Sequence, residues 1–498
     1  MNLSIFTAAC CIVSLLYLPG HATAHDHGEG LLALAPSRVL LNADGQNNRW
    51  NGIGRIKSRK GSHCTATLID TRSSGSPVEA PAYLLTNGHC ISRRNGLIIT
   101  DAEIEGTVEF NFFTDSTVYS YPLKRVRWSS MQGVDLAIVE LQPTLGELIA
   151  DGIQPLRLTN QMPEDGRDIL SIGAPLYIGT GHLRMAACVH QSSGEILQQP
   201  WVWRHTVSNQ CKDIAKGSSG SPLLTRDTLE MFAVLNLTNQ PSPESFAIER
   251  GMEFPPGFPP QAPDSNFGSP VTRLNECFID GELNTDPQQC RLFPAHSIIF
   301  EKPPRQYVKV RLDAQGNEVY PGWNLKFTVD KPFYRYKKVD SPLQCENPVG
   351  YSHTIASQDA SIDDPVDRQI GINWLCIVGV TSADERPSHG MMRNTLTLAV
   401  ELQAAGPTSE PRVHIEKNRF GSYEINWLRD SGGLIDRYTV KIGPPAKTDC
   451  ADPQGFKRLL GSNLVLRRKS LPIKICTYAH DVNGQRSSVR EDIVSVTE

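Results

Sequence analysis

Short apolar runs, each closed off by Gly, Pro, Asn or Ser, recur along most of the chain. Residues 107–113, 119–128, 135–141, 168–173, 201–207 and 231–237 are rich in Val, Ile, Leu and aromatics, and they are too short for helices. The pattern predicts strands, and helical periodicity is nearly absent. Residues 241–263 hold too many prolines to sit inside a sheet and read as a loop or linker. Beyond them, 270–278 reads as a short helix. Strand-like runs resume at 307–312, 323–329, 374–380 and 396–402, for which a β-sandwich is the economical arrangement. Gly406-Pro407-Thr408-Ser409 reads as a linker into a final module. The fold class expected is mainly β.

Length and composition add domain number and compartment. A chain of 498 residues exceeds what one core normally supports. The divisions expected are a signal peptide at 1–24, a polar leader at 25–45, a first domain at 46–295, a β-sandwich at 296–405 and a last module at 406–498. A formal net charge of −4 with scattered basic residues gives no footing to nucleic acid or anionic membrane as partner. The apolar stretch from Leu3 to Pro19, followed by Ala22-Thr23-Ala24, predicts export with cleavage after Ala24, and nothing later is apolar enough to span a bilayer. Cleavage removes Cys10 and Cys11 and leaves Cys64, Cys90, Cys188, Cys211, Cys277, Cys290, Cys345, Cys376, Cys450 and Cys476. These fall into sequential couples that each stay within one expected domain, as disulfides of an oxidising compartment would, although spacing alone leaves the connectivity open. No CxxC or HExxH spacing occurs, so neither a metal nor a cofactor is expected.

The chemistry lies in three short segments. Leu85-Thr86-Asn87-Gly88-His89-Cys90 carries an imidazole, Gly133-Val134-Asp135-Leu136 a carboxylate 46 residues later, and Gly217-Ser218-Ser219-Gly220-Ser221-Pro222 a serine 84 residues further on. A serine hydroxyl is a poor nucleophile at neutral pH. It needs a base to remove its proton and a carboxylate to fix that base's tautomer, and His89, Asp135 and Ser219 supply those groups. Gly217 and Gly220 permit a tight turn whose N–H groups, at Gly217 and Ser219, can face a developing oxyanion, an effect of roughly 3–4 kcal/mol per donor.

With these motifs in view, residues 46 to about 245 resemble a chymotrypsin-like (trypsin superfamily) serine peptidase, and Cys64-Thr65-Ala66-Thr67-Leu68-Ile69 matches the strand before its histidine loop. Leu84-Leu85-Thr86-Asn87 and Val39-Leu40-Leu41-Asn42 are similar to segments of the bacterial glutamyl-endopeptidase-like branch. The resemblance implies a two-barrel peptidase domain and a disulfide between Cys64 and Cys90. Gly88 stands where the family usually has Ala, a small change not expected to block the imidazole. The family's geometry puts Asp213 at the base of the primary pocket, with Asn236 and Leu237 on the strand lining it, which implies cleavage after Lys or Arg while Leu237 narrows the way. The Asp that pairs with a new N-terminus in trypsin-type zymogens is replaced by Ser218, so activity is expected not to depend on that switch, even if Arg38 is a processing point. Residues 411–498 resemble a fibronectin type III domain, with Trp427 on an early strand. The function implied is an exported, secreted or periplasmic, monomeric serine endopeptidase acting on protein or peptide through an acyl-enzyme, its two C-terminal β-sandwich domains binding substrate, matrix or cell surface. The rival is a catalytically inactive homologue serving in adhesion or binding.

Overall fold

A computed structural model describes residues 31–58, 63–72, 79–198, 200–239, 264–286, 289–290, 292, 294, 296–386, 388–418, 421–428 and 434–496. The expected signal peptide, the mature terminus at His25 and the proline-dense run at 241–263 lie outside the described residues. The first half of the chain folds into two β layers. After a two-residue strand β1 (Arg38–Val39) come β2 (Ile53–Ser58), β3 (His63–Ile69), β4 (Pro81–Thr86), β5 (Ile98–Glu103), β6 (Gly106–Phe110), β7 (Tyr119–Ser130) and β8 (Leu136–Thr144). They pair in the order β5-β7-β6-β2-β3-β4-β8, and β8 pairs back onto β7, closing a barrel. Alternate residues turn inward, so Ile56, Ala66, Leu68, Leu84, Val108, Phe110 and Val139 fill it. A short helix, α1 (Leu145–Ala150), follows β8. It is started by Thr144, whose hydroxyl accepts from Glu147 N while the Glu147 carboxylate accepts from Thr144 N.

The second layer contains β9 (Asp168–Gly173), β10 (Arg184–Val189), β11 (Gln191–Gln198), β12 (Trp201–Asn209), β13 (Pro222–Thr225), β14 (Met231–Thr238) and β15 (Asn266–Pro270), in the order β1-β10-β9-β13-β14-β15-β12-β11. The segment read as a helix at 270–278 is instead the end of β15 followed by a single 3-10 turn, Leu274–Cys277. Its four-residue length gives no room for a helical hydrophobic face. One apolar core joins the two layers through Trp128, Leu136, Leu170, Ile172 and Val234. Leu31 and Leu40 are buried in it, so this part of the polar leader is packed into the domain.

Beyond residue 296 two further sheets face each other. Ile298–Phe300, Leu325–Val329 and Ser361–Ile362 form one; Tyr307–Lys309, Leu396–Gln403, Gly371–Val380, Phe333–Val339 and Ile355–Ala356 form the other. Phe327, Tyr334, Leu375 and Ile377 are packed between them. The last residues form a three-stranded and a four-stranded sheet, and the buried Trp427 donates from Nε1 to Thr477 Oγ1 (3.1 Å). The ten cysteines among the described residues are bridged as sequential pairs, 64–90, 188–211, 277–290, 345–376 and 450–476. Among the described residues no helix is long and apolar enough to cross a membrane.

Candidate active site

The serine turn is set by hydrogen bonds to the first barrel. Gly217 and Gly220 have φ of +97° and +89°, a region that L side chains rarely adopt, and a Cβ on Gly220 would fall 2.0 Å from Thr65 O. Thr65, wholly buried on β3, organises the turn. Its N–H donates to Ser219 O (2.8 Å), its hydroxyl donates to Gly217 O (2.8 Å) and accepts from Ala174 N, and its carbonyl accepts from Thr86 Oγ1 (2.8 Å). Gly220 N and Leu235 O close the turn from the β14 side. The Lys216 carbonyl accepts from Leu176 N. In a trans peptide the N–H opposes the carbonyl, so the Gly217 N–H points the other way. Among the described residues neither Gly217 N nor Ser219 N donates a hydrogen bond within the chain.

Three residues after Thr86, the 3-10 turn Gly88–Cys90 presents His89. Its Nδ1 lies 2.7 Å from Asp135 Oδ2 and its backbone N donates to Asp135 Oδ1 (2.9 Å). The same carboxylate thus fixes both the ring and its peptide. The Asp135 side chain is 2% exposed and the His89 side chain 17%, so the carboxylate is dry while the ring keeps one edge open. Asp135 is itself anchored, its N donating to Ser269 Oγ (3.2 Å) and its carbonyl accepting from Asn87 Nδ2 (3.0 Å). An Nδ1–H held on a carboxylate leaves Nε2 as the basic nitrogen. No hydrogen bond joins Ser219 Oγ to His89 Nε2 among the described residues, a contact that commonly tightens only with substrate. Ligand-type atoms of Cys64, His89 and Cys90 lie within 4.8 Å of one another, but Cys64 and Cys90 form a disulfide, which leaves no thiolate for a metal.

The residues expected around the pocket are differently engaged. Asp213 has φ +62°, and its Oδ2 accepts from both Ser37 N (2.7 Å) and Ser37 Oγ (2.8 Å), while Arg184 donates to Ser37 Oγ and O. Asn236 is 7% exposed, and neither its Oδ1 nor its Nδ2 finds a partner among the described residues. Leu237 leans on Trp203, Phe267, Ile196 and Met131.

Sequence reasoning did not anticipate Ser37, Thr65, Ser269 or Asn87 as parts of this site. Thr65 and Asn87 sit inside motifs already singled out, but their partners are 21 to 154 residues distant, and no local pattern encodes such contacts. No curated protein matches the chain. Many solved structures resemble it, two among them at low identity. One is Rv3671c from M. tuberculosis H37Rv in an inactive serine-to-alanine form, at 16% identity and TM-score 0.29, covering 48% of this chain and 91% of that one. The other is the thermostable serine protease AL20 from an extremophilic microorganism, at 13% identity and TM-score 0.31, covering 45% and 92%. Residues 64–234, which include His89, Asp135 and Ser219, match the family model described as the trypsin-like peptidase domain, and the chain therefore carries a trypsin-like peptidase domain.

Proposed function

We propose that the chain is an exported serine endopeptidase. Ser219 attacks the scissile carbonyl, and His89 takes the hydroxyl proton and passes it to the leaving amine. Asp135 holds the imidazole, and the N–H groups of Gly217 and Ser219 stabilise the oxyanion. Water then hydrolyses the acyl-enzyme by the same steps. The observation that carries this reading is the 2.7 Å contact of His89 Nδ1 with the buried Asp135 carboxylate, beside a serine turn whose two backbone donors are unused. The turn is braced by neutral bonds, Ala215 N to Ser218 Oγ and Thr65 Oγ1 to Gly217 O, which supports independence from an N-terminal ion pair. The same geometry favours the enzyme over an inactive adhesion homologue.

Cleavage after Lys or Arg is part of the proposal. Ser37 occupies only Oδ2 of Asp213, and a cationic side chain can take Oδ1. Five disulfides suit an extracellular or periplasmic location. Kinship with the glutamyl-endopeptidase-like branch, a fibronectin type III-like character for 406–498, a monomeric state and a binding role for both C-terminal units complete it. Profiling on a peptide library tests the specificity. Lys and Arg are expected at the cleaved position, and Asp213→Ser is expected to abolish that preference. Cleavage indifferent to basic residues in both proteins would overturn the pocket assignment, and no cleavage of any peptide would overturn the activity.

A further inference from the structure

The turn Met131–Val134, which joins β7 to β8 and delivers Asp135, is held both by β12 and by the unit beyond residue 296. Gln132 is fully buried, and its Nε2 donates to Asn394 O (2.7 Å). Gly133 has φ +71°, and its carbonyl accepts from Arg204 N (3.0 Å) on β12. The Arg204 guanidinium lies so close over Gly133 that a Cβ there would fall 2.9 Å from Nη2. That Nη2 donates to Thr395 O (3.0 Å) and Arg393 O (3.4 Å), and Nη1 stands 3.3 Å from Glu346 Oε1, which also meets His205 Nε2 at 2.9 Å. The run 393–395 is therefore held by Gln132 and Arg204 together.

We propose that Arg204 and Gln132 are positioning residues for Asp135, through which the β unit following residue 296 fixes the turn that presents this carboxylate to His89. The proposal rests on the reading of Ser219, His89 and Asp135 as a triad. Burying a guanidinium is costly unless its fork is satisfied, and here Nη2 is held by the Thr395 and Arg393 carbonyls while Nη1 faces Glu346 without a hydrogen bond among the described residues, which packs the group against Gly133 beside Asp135. Adhesion between the units does not require it, since Leu197 and Val202 already pack on Trp374 and Ala399. Burial pulls the Arg204 pKa down. For Glu346 burial acts upward, but the His205 and Arg204 contacts outweigh it and hold the carboxyl below its ordinary range, so Glu346 is ionised at neutral pH. A reacting group displaced by about 1 Å can lose about a hundredfold in rate, which gives a distant latch its leverage.

The test uses the full chain. Arg204→Met with Glu346→Gln removes the cation without leaving a bare carboxylate, and Gln132→Ala removes the second contact. Phosphonylation by a fluorophosphonate is resolved into its saturation constant and its maximal rate. The maximal rate is expected to fall about tenfold to a hundredfold with the saturation constant unchanged. The downfield proton resonance of His89 Nδ1–H, which needs no nucleophile and is expected to persist in Ser219→Ala, should shift or vanish in the latch variants. Folded variants with the parent rate and an unmoved resonance would overturn the inference. If the double variant does not fold, an unchanged resonance and rate in Gln132→Ala would overturn it alone. A parent that is never labelled contradicts the proposed function instead, and the resonance still decides the latch.

Discussion

Before His89 the chain carries Gly88 where the family it resembles usually has alanine, a small change not expected from sequence to block the imidazole. In the fold a Cβ at this position falls 2.0 Å from Ser130 O and 3.3 Å from Asp135 Oδ1, so the obstacle is the backbone of β7. Gly88→Ala is expected to destabilise the protein by about 1–3 kcal/mol, as overpacking does, and to lower turnover in the folded fraction. Thermal unfolding with turnover per folded molecule checks it, and a variant matching the parent in both would contradict the steric reading. His89, Asp135 and Ser219 could be proposed from sequence because each sits in a short, distinctive segment. The Ser37 contact with Asp213 and the Arg204 contact with Thr395 were not, because they join positions 176 and 191 residues apart.

At the scale of elements, apolar runs gave the strands to within a few residues at 168–173, 201–209 and 231–238, since these strands are buried along nearly their whole length and so read as continuous apolar runs. The helix Leu145–Ala150 escaped because six residues are too few to display a 3.6 period, although the Thr144 and Glu147 pair was readable as a capping box. β15 was missed because Asn266-Phe267-Gly268-Ser269-Pro270 has little β-propensity and gains its place from β14 and β12. The disulfide from β3 to the histidine turn closes a 26-residue separation and clamps the segment that carries His89. Replacing Cys64 and Cys90 together by Ala is expected to lower unfolding free energy by about 2–4 kcal/mol. Denaturant titration measures it, and an unchanged midpoint would refute a clamping role.

Across the whole molecule, the junction near residue 296 couples the peptidase layers to the unit beyond. Trp128 Nε1 donates to Pro294 O, Ile98 N to Ser297 Oγ, and His296 Nε2 accepts from Gly379 N (3.0 Å). Burial pulls the His296 pKa from 6.5 down to about 4; Asp330 and Glu385 act upward on it and Lys331 downward. A depressed histidine pKa means that the unfolded chain binds the proton first. Its contribution is present above about pH 6.5 and is lost as pH falls towards 4. The unfolding temperature is expected to drop across that window, and His296→Gln, which keeps an acceptor for Gly379 N, is expected to flatten the drop. An identical pH profile in the variant would remove His296 as the cause. In sequence the chain divides at 295/296, but the contacts made by His296 were not legible there, because a histidine between strands carries no mark of its burial. Whether Ser219 is an activated nucleophile is decided by fluorophosphonate labelling followed by peptide mass spectrometry. One adduct is expected, on Ser219, lost in Ser219→Ala and in His89→Ala. Folded protein that takes up no label, or takes it up at another residue, would contradict that role.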